Sequence, residues 1–281
     1  MSVDVSLDDI PQSALEQARQ GIQAYLAPLI RISPEAPPDR PAVALGGSAT
    51  FVELAGRHYI LTADHVWNGT EGWAELAIAL ASDGMPLSVP RDYLIPKRLG
   101  RPPYSEWGPD LALLEIPANL VRTIEGRKSF LNLGKRQAML TTHPPRFEKT
   151  LWAVMGMVAQ TSEVKPREES GRVPVNIRGE AFFGVTCTAE ERDGYDYLTT
   201  YAKTTLPNVP ASFKGVSGGG LWEIGLTMKK STGEITWELE HHFRGVAFWE
   251  QPKPPNEVAI RCHGPRSIFE KAWEVWGLDR V

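Results

Sequence analysis

Cysteine is nearly missing from this chain: two thiols, Cys187 and Cys262, in 281 residues. That is too few for a disulfide scaffold, and their spacing matches no zinc site, so both read as free thiols. Also missing is any apolar run near the roughly 20 residues that a membrane helix needs. The opening stretch, MSVDVSLDDIPQSALEQ, is acidic and polar. It lacks the positive start and apolar centre of a secretory signal, and a cytoplasmic protein is expected. Positive charge is not in excess either. The net charge of -4 supplies no overall basic field for nucleic acid.

What is plentiful is chain punctuation. There are 25 glycines and 23 prolines, and they separate many short runs of β-forming residues. Such runs include TFVEL and HYILT around a turn at Ala55–Gly56, AELAIALAS, DLALLEI, LWAVMGMVAQ, EAFFGVTCT, YDYLTTYAKT, LWEIGLTM, ITWELEHHFRGVAFWE and EVAIRC. No βαβ rhythm interrupts them, and no GxGxxG opens a helix after a strand, which excludes a dinucleotide-binding sheet. The composition predicts an all-β class, a barrel or sandwich. Two helices frame it. SALEQARQGIQAYLAPLI reads as a helical lead-in with Ser13 as its cap and Pro28 as its end, followed by a linker or extended strap. SIFEKAWEVWGL reads as an amphipathic C-terminal helix stopped by Gly277. His241 and His242 are neighbours in a strand and face opposite sides, poor metal geometry, and no cofactor is expected.

Three separated pieces carry chemistry. FKGVSGGG places Ser217 in a glycine-flanked turn that exposes a hydroxyl and aims backbone N–H groups at one point. ILTADHV places His65 at a strand end or short helical turn, where Thr62 helps to fix the loop. GPDLALLEI opens a strand with Asp110. A serine hydroxyl is a weak nucleophile until a base removes its proton, and histidine suits that task near neutral pH. The imidazole in turn needs a carboxylate on Nδ1 to fix its tautomer and plane. The tetrahedral oxyanion needs donors, and the N–H groups of Gly215 and Ser217 are the candidates, worth about 3–4 kcal/mol for one such donor.

With those pieces, GGSATFVELAGRHYILTADHV, GPDLALLEI and FKGVSGGGLWEI, the chain resembles the trypsin-like (chymotrypsin-fold) serine peptidases, in their bacterial-type branch. His65 and Asp110 are 45 positions apart, and Asp110 and Ser217 are 107 apart. The resemblance implies His65 as general base, Asp110 as orienting acid, Ser217 as nucleophile and Gly215 as the first oxyanion-hole glycine. It implies two six-stranded antiparallel β-barrels forming one peptidase domain, at 40–135 and 145–263, between a helical lead-in at 1–39 and a C-terminal helix at 265–281. Three positions depart from the family pattern. Asp64 stands where alanine is usual, and either perturbs the neighbouring base or faces solvent. Gly220 replaces a proline, and no activation sequence precedes the first barrel.

The expected activity is a serine endopeptidase acting through an acyl-enzyme on a peptide or protein substrate. The alternative is a non-catalytic peptide-binding or regulatory protein on the same fold. Neither nucleic acid nor membrane is an expected partner, and residues 1–39 are the candidate contact for a regulatory protein. Substrate binding falls to Ala211 and Ser212 before the nucleophile and to Ala247, Phe248 and Trp249 in the later strand. With no acid at the pocket base, an apolar or small P1 side chain is expected. Extended substrate pairing along 247–249 would be β-augmentation.

Overall fold

The computed structural model describes residues 7, 10–32, 43–142, 147, 149–164, 175–184, 186–204, 209–210, 212–231, 234–253 and 255–278. The strands of the first half are β1 (Leu29–Ile32), β2 (Val43–Gly47), β3 (Thr50–Leu54), β4 (Arg57–Thr62), β5 (Glu75–Ile78), β6 (Asp83–Gly84), β7 (Leu87–Pro90), β8 (Ile95–Arg98), β9 (Ala112–Glu115) and β10 (Leu131–Asn132). The second half has β11 (Lys149–Met157), β12 (Glu163–Val164), β13 (Val175–Asn176), β14 (Gly179–Gly184), β15 (Cys187–Arg192), β16 (Tyr195–Lys203), β17 (Gly220–Ser231), β18 (Glu234–Lys253) and β19 (Glu257–His263). Helices α1 (Gln12–Gln23), α2 (Asp64–Asn68), α3 (Ala118–Glu125), α4 (Leu133–Thr142) and α5 (Trp273–Trp276) complete the chain.

The protein is predominantly β, in four sheets with strand orders β2-β1-β5-β7, β10-β3-β4-β9-β8, β14-β11-β17-β18-β19-β16-β15 and β12-β13-β6. Pairing is antiparallel except for β10 with β3. Among the described residues none of these ladders closes on itself, so the expected pair of six-stranded barrels does not emerge from the pairing. The physical reason is visible in the first half. The two sheets there are joined by single contacts, a Leu26–Thr50 bridge and the bonds Ala27 N–H to Ala49 O (2.8 Å) and Phe51 N–H to Tyr25 O (2.8 Å).

Most strands fall where β-branched and aromatic residues are dense. The β3–β4 hairpin turns at Ala55 and Gly56, with φ of 51° and 74°. That geometry favours glycine and strains alanine, and it matches the twist of the flanking strands. The lead-in helix is shorter than its apolar pattern predicts. It begins after Pro11 with no side-chain cap, so Ser13 does not cap it, and it ends at Gln23. Leu26 and Ala27 have already entered the strand ladder, and Leu29 opens β1 within the expected helical lead-in; the expected linker, SPEAPPDRP, lies outside the described residues. Helices α3 and α4 have no counterpart in the sequence expectations; α4 occupies 133–142, from the end of the first expected barrel into the stretch between the two. The C-terminal segment winds as a π-turn over Ser267–Ala272 and then α5, and Gly277 at φ 62° ends it.

One core spans both halves. Ala14, Ala18 and Ile22 of α1 pack with Val52, Tyr59 and Leu61 of the first half and with Leu151, Trp222 and Phe243 of the second. Cys187 and Cys262 are free. No helix among the described residues is long and apolar enough to cross a membrane.

Candidate active site

Strand β4 ends at Thr62, and α2 begins two residues later, so His65 sits in the first turn of a short helix. Its ring lies against Asp110, just ahead of β9. The two residues meet twice: His65 Nδ1 is 2.6 Å from Asp110 Oδ2, and the His65 backbone N–H donates to Asp110 Oδ1 at 2.8 Å. Asp110 is 1% exposed and the His65 side chain 33%. The carboxylate therefore works in a dry setting while the ring keeps an open edge. Holding Nδ1 as the donor leaves Nε2 as the free base.

Ser217 arrives from the turn ahead of β17. Gly215 and Gly218 there have φ of 99° and 87°, a conformation suited to glycine. The turn is pinned from three sides. Gly218 N–H donates to Ala247 O (2.7 Å), Ala247 N–H to Gly219 O (2.9 Å), and Ser48 N–H to Ser217 O (2.9 Å). The N–H groups of Gly215 and Ser217 have no acceptor among the described residues, whereas the intervening Val216 N–H is bonded to Phe213 O. Two open donors on either side of an occupied one are available to receive an oxyanion.

Gly47 brings the serine turn to the histidine helix. A Cβ placed on Gly47 would lie 2.9 Å from both methyls of Val66 and 3.3 Å from Ser217 O. No hydrogen bond joins Ser217 Oγ to His65 among the described residues. Such bonds are commonly long without substrate.

Several contributors are silent in the sequence. Ser48 Oγ donates to Gly215 O (2.7 Å) and accepts the Met157 N–H (2.7 Å), while its carbonyl accepts the Thr62 hydroxyl (2.7 Å). One residue thus ties the strand entering the base, through its carbonyl, to the nucleophile turn, through its hydroxyl. Thr62 fixes this corner through Ser48. Asp64 neither faces solvent nor stands free beside the base. It is fully buried and takes Arg98 in a two-toothed pair, Nε to Oδ1 at 2.6 Å and Nη2 to Oδ2 at 2.8 Å, with the Tyr104 hydroxyl donating to Oδ2 at 2.7 Å. Burial and that carboxylate push the Tyr104 phenol well above its ordinary range. The Tyr104 ring meets His65 edge-on at 5.8 Å.

The substrate-binding candidates separate. Ala211 lies outside the described residues. Ser212 is exposed, and its Oγ accepts the Lys214 N–H at 3.2 Å. Ala247 and Phe248 turn inward, 1% and 2% exposed. The Ala247 backbone on the nucleophile side is already committed to Gly218 and Gly219, and the Phe248 ring is stacked on His263 at 4.3 Å. Trp249, half-buried at a bulge in β18, keeps a reachable edge. Glu250 accepts the Phe213 N–H at 3.0 Å and steadies the approach to Ser217. Two surface hollows, of about 280 and 410 Å³, lie elsewhere, one beside α1 and Lys128 and one beside Arg57 and Tyr93.

No group of three or more His, Cys, Asp or Glu side chains among the described residues could hold a metal ion. No family model matches the chain, and no curated protein matches it. Among solved structures, one similar chain comes from work on how aromatic interactions drive the coupled folding and binding of the intrinsically disordered Sesbania mosaic virus VPg protein. It is 12% identical, the match covers 87% of this chain and 94% of that one, and the TM-score is 0.38. A likeness that slight says nothing about what this chain does.

Proposed function

We propose that this protein is a serine endopeptidase of the trypsin-like kind. The observation that carries the reading is the double attachment of His65 to a buried Asp110, which fixes the ring and leaves Nε2 as the base. In this reading His65 Nε2 takes the Ser217 proton as Oγ attacks a peptide carbonyl. The resulting oxyanion is received by the N–H groups of Gly215 and Ser217. His65 then gives its proton to the departing amine as the C–N bond breaks. A water molecule repeats the sequence on the acyl-enzyme: His65 accepts its proton, and the acid product leaves as Ser217 is reprotonated.

The two-barrel arrangement belongs to the same proposal, with residues 40–135 and 145–263 as the two units. It is supported by the run of 43–51 through both sheets of the first half. The substrate is a peptide with a small or apolar P1 residue, chosen beside Ser212 and Trp249. The test is Ser217→Ala. Turnover of a peptide library and labelling by a fluorophosphonate should both vanish while the fold survives. Equal labelling of the two proteins would remove Ser217 from the mechanism and leave the peptide-binding alternative.

A further inference from the structure

Both oxygens of Asp110 are committed to His65, so the carboxylate can only be aimed through its own backbone. Among the described residues that backbone has one side-chain holder. The Asp110 N–H donates to Nε2 of His263 at 3.0 Å. His263 is fully buried, stacked on Phe248 and flanked by Tyr197 at 5.4 Å. Because Nε2 accepts, the ring proton resides on Nδ1, which finds no partner among the described residues. A buried imidazole with one nitrogen unsatisfied is costly to keep. The residues just before Asp110 are gripped from the same side. The Tyr197 hydroxyl donates to Trp107 O, Arg261 Nη1 to Glu106 O at 2.5 Å, and the Arg261 guanidinium covers the Trp107 ring at 3.7 Å.

All three holders lie on paired strands of the second half. Tyr197 of β16 is the register partner of His263 on β19, and His263 is the partner of Val246 on β18. The next residue, Ala247, receives the Gly218 N–H. A short path therefore runs from the Asp110 N–H through the His263 side chain, its strand partner Val246 and the adjoining Ala247 to the turn that holds Ser217.

We propose that His263 is a positioning residue that aligns the Asp110 carboxylate, and through it His65, with the Ser217 turn of the other half. The proposal rests on the peptidase reading for its kinetic consequence but not for its structural one. Glutamine can present an acceptor where Nε2 lies; leucine cannot. The experiment compares wild type, His263→Gln and His263→Leu by peptide kinetics and by the low-field Nδ1 proton resonance of His65. His263→Leu should lower kcat by about 10²-fold with little change in KM, the scale set by a small misplacement of a reacting group. Its Nδ1 resonance should weaken or vanish. His263→Gln should recover both within a few-fold. Should the leucine protein fail to fold, Tyr197→Phe serves in its place, with a smaller kcat loss and a displaced resonance expected. Wild-type kcat and resonance in the leucine or phenylalanine variant would overturn the proposal, as would equal damage from glutamine and leucine. If the wild type shows no Ser217-dependent turnover, the peptidase reading fails by itself. The resonance then still decides: loss in leucine and retention in glutamine uphold His263, and identical spectra reject it.

Discussion

The Ser48 hydroxyl donates to the carbonyl of Gly215, 167 positions later, at 2.7 Å. The same oxygen accepts the Met157 N–H, so one atom joins the link between β2 and β3 to the turn before the nucleophile and to the end of β11. Ser48→Ala leaves a buried N–H and a carbonyl without their partner. The expected loss is about 1–3 kcal/mol of stability, read as a lower urea midpoint. Peptide turnover should fall as well, because the Gly215–Val216 peptide that Ser48 holds lies between the two open N–H groups of Gly215 and Ser217. An unchanged midpoint and rate would show that the turn holds its shape without Ser48.

Asp64 depends on Arg98. The carboxylate is fully buried and the guanidinium partly exposed. Arg98→Met strands a buried charge that keeps only the Tyr104 hydroxyl, and a loss of about 3–5 kcal/mol is expected. Removing both charges, as Asp64→Leu with Arg98→Met, should restore a large part of that loss. A denaturation series on the singles and the double measures the coupling; additive effects would mean that the pair contributes nothing beyond its parts.

Acid should loosen the fold before carboxylates titrate. Burial lowers the His263 imidazole from 6.5 to about 3 and pushes His241 and His242 down as well. The unfolded chain then binds more protons than the folded one wherever the pH lies below the ordinary imidazole value. Stability is fully present above 6.5 and is lost progressively as the pH falls from there toward 3. Urea midpoints taken on either side of 6.5 should decline on acidification. A flat or rising midpoint would mean that these rings are charged in the folded protein.

The alternation and punctuation of the chain reveal most of the strands and the stop at Gly277; of the two settings open to His65, a strand end or a short helical turn, the structure has the turn. The helices α3 and α4 are not legible. Helix α3 has an apolar side, Leu120, Val121 and Ile124, but it is only eight residues long, and α4 buries only Leu133 and Gly134. One local clue is present: Asn132 Oδ1 accepts the Lys135 N–H at 2.8 Å, an N-cap for α4. In the candidate site, His65, Asp110 and Ser217 stand out in the sequence because each proposed role demands a residue type in a local setting, and the structure joins the first two directly. Ser48, Arg98 and His263 act through contacts between distant segments, and nothing near them in the sequence announces the partner. Phe248 reads as a pocket wall from its strand position, but the bulge beside it turns the ring inward.

Helix α1 also has a bearing on how the molecule can be divided. Ala18 and Ile22 are fully buried against side chains from both halves, so the helix behaves as a keystone wedged into a common seam. Expressed alone, either half would carry an oily flank with nothing to lean on. The two should therefore melt together as one cooperative unit, and a cut between α1 and β1 would loosen that seam.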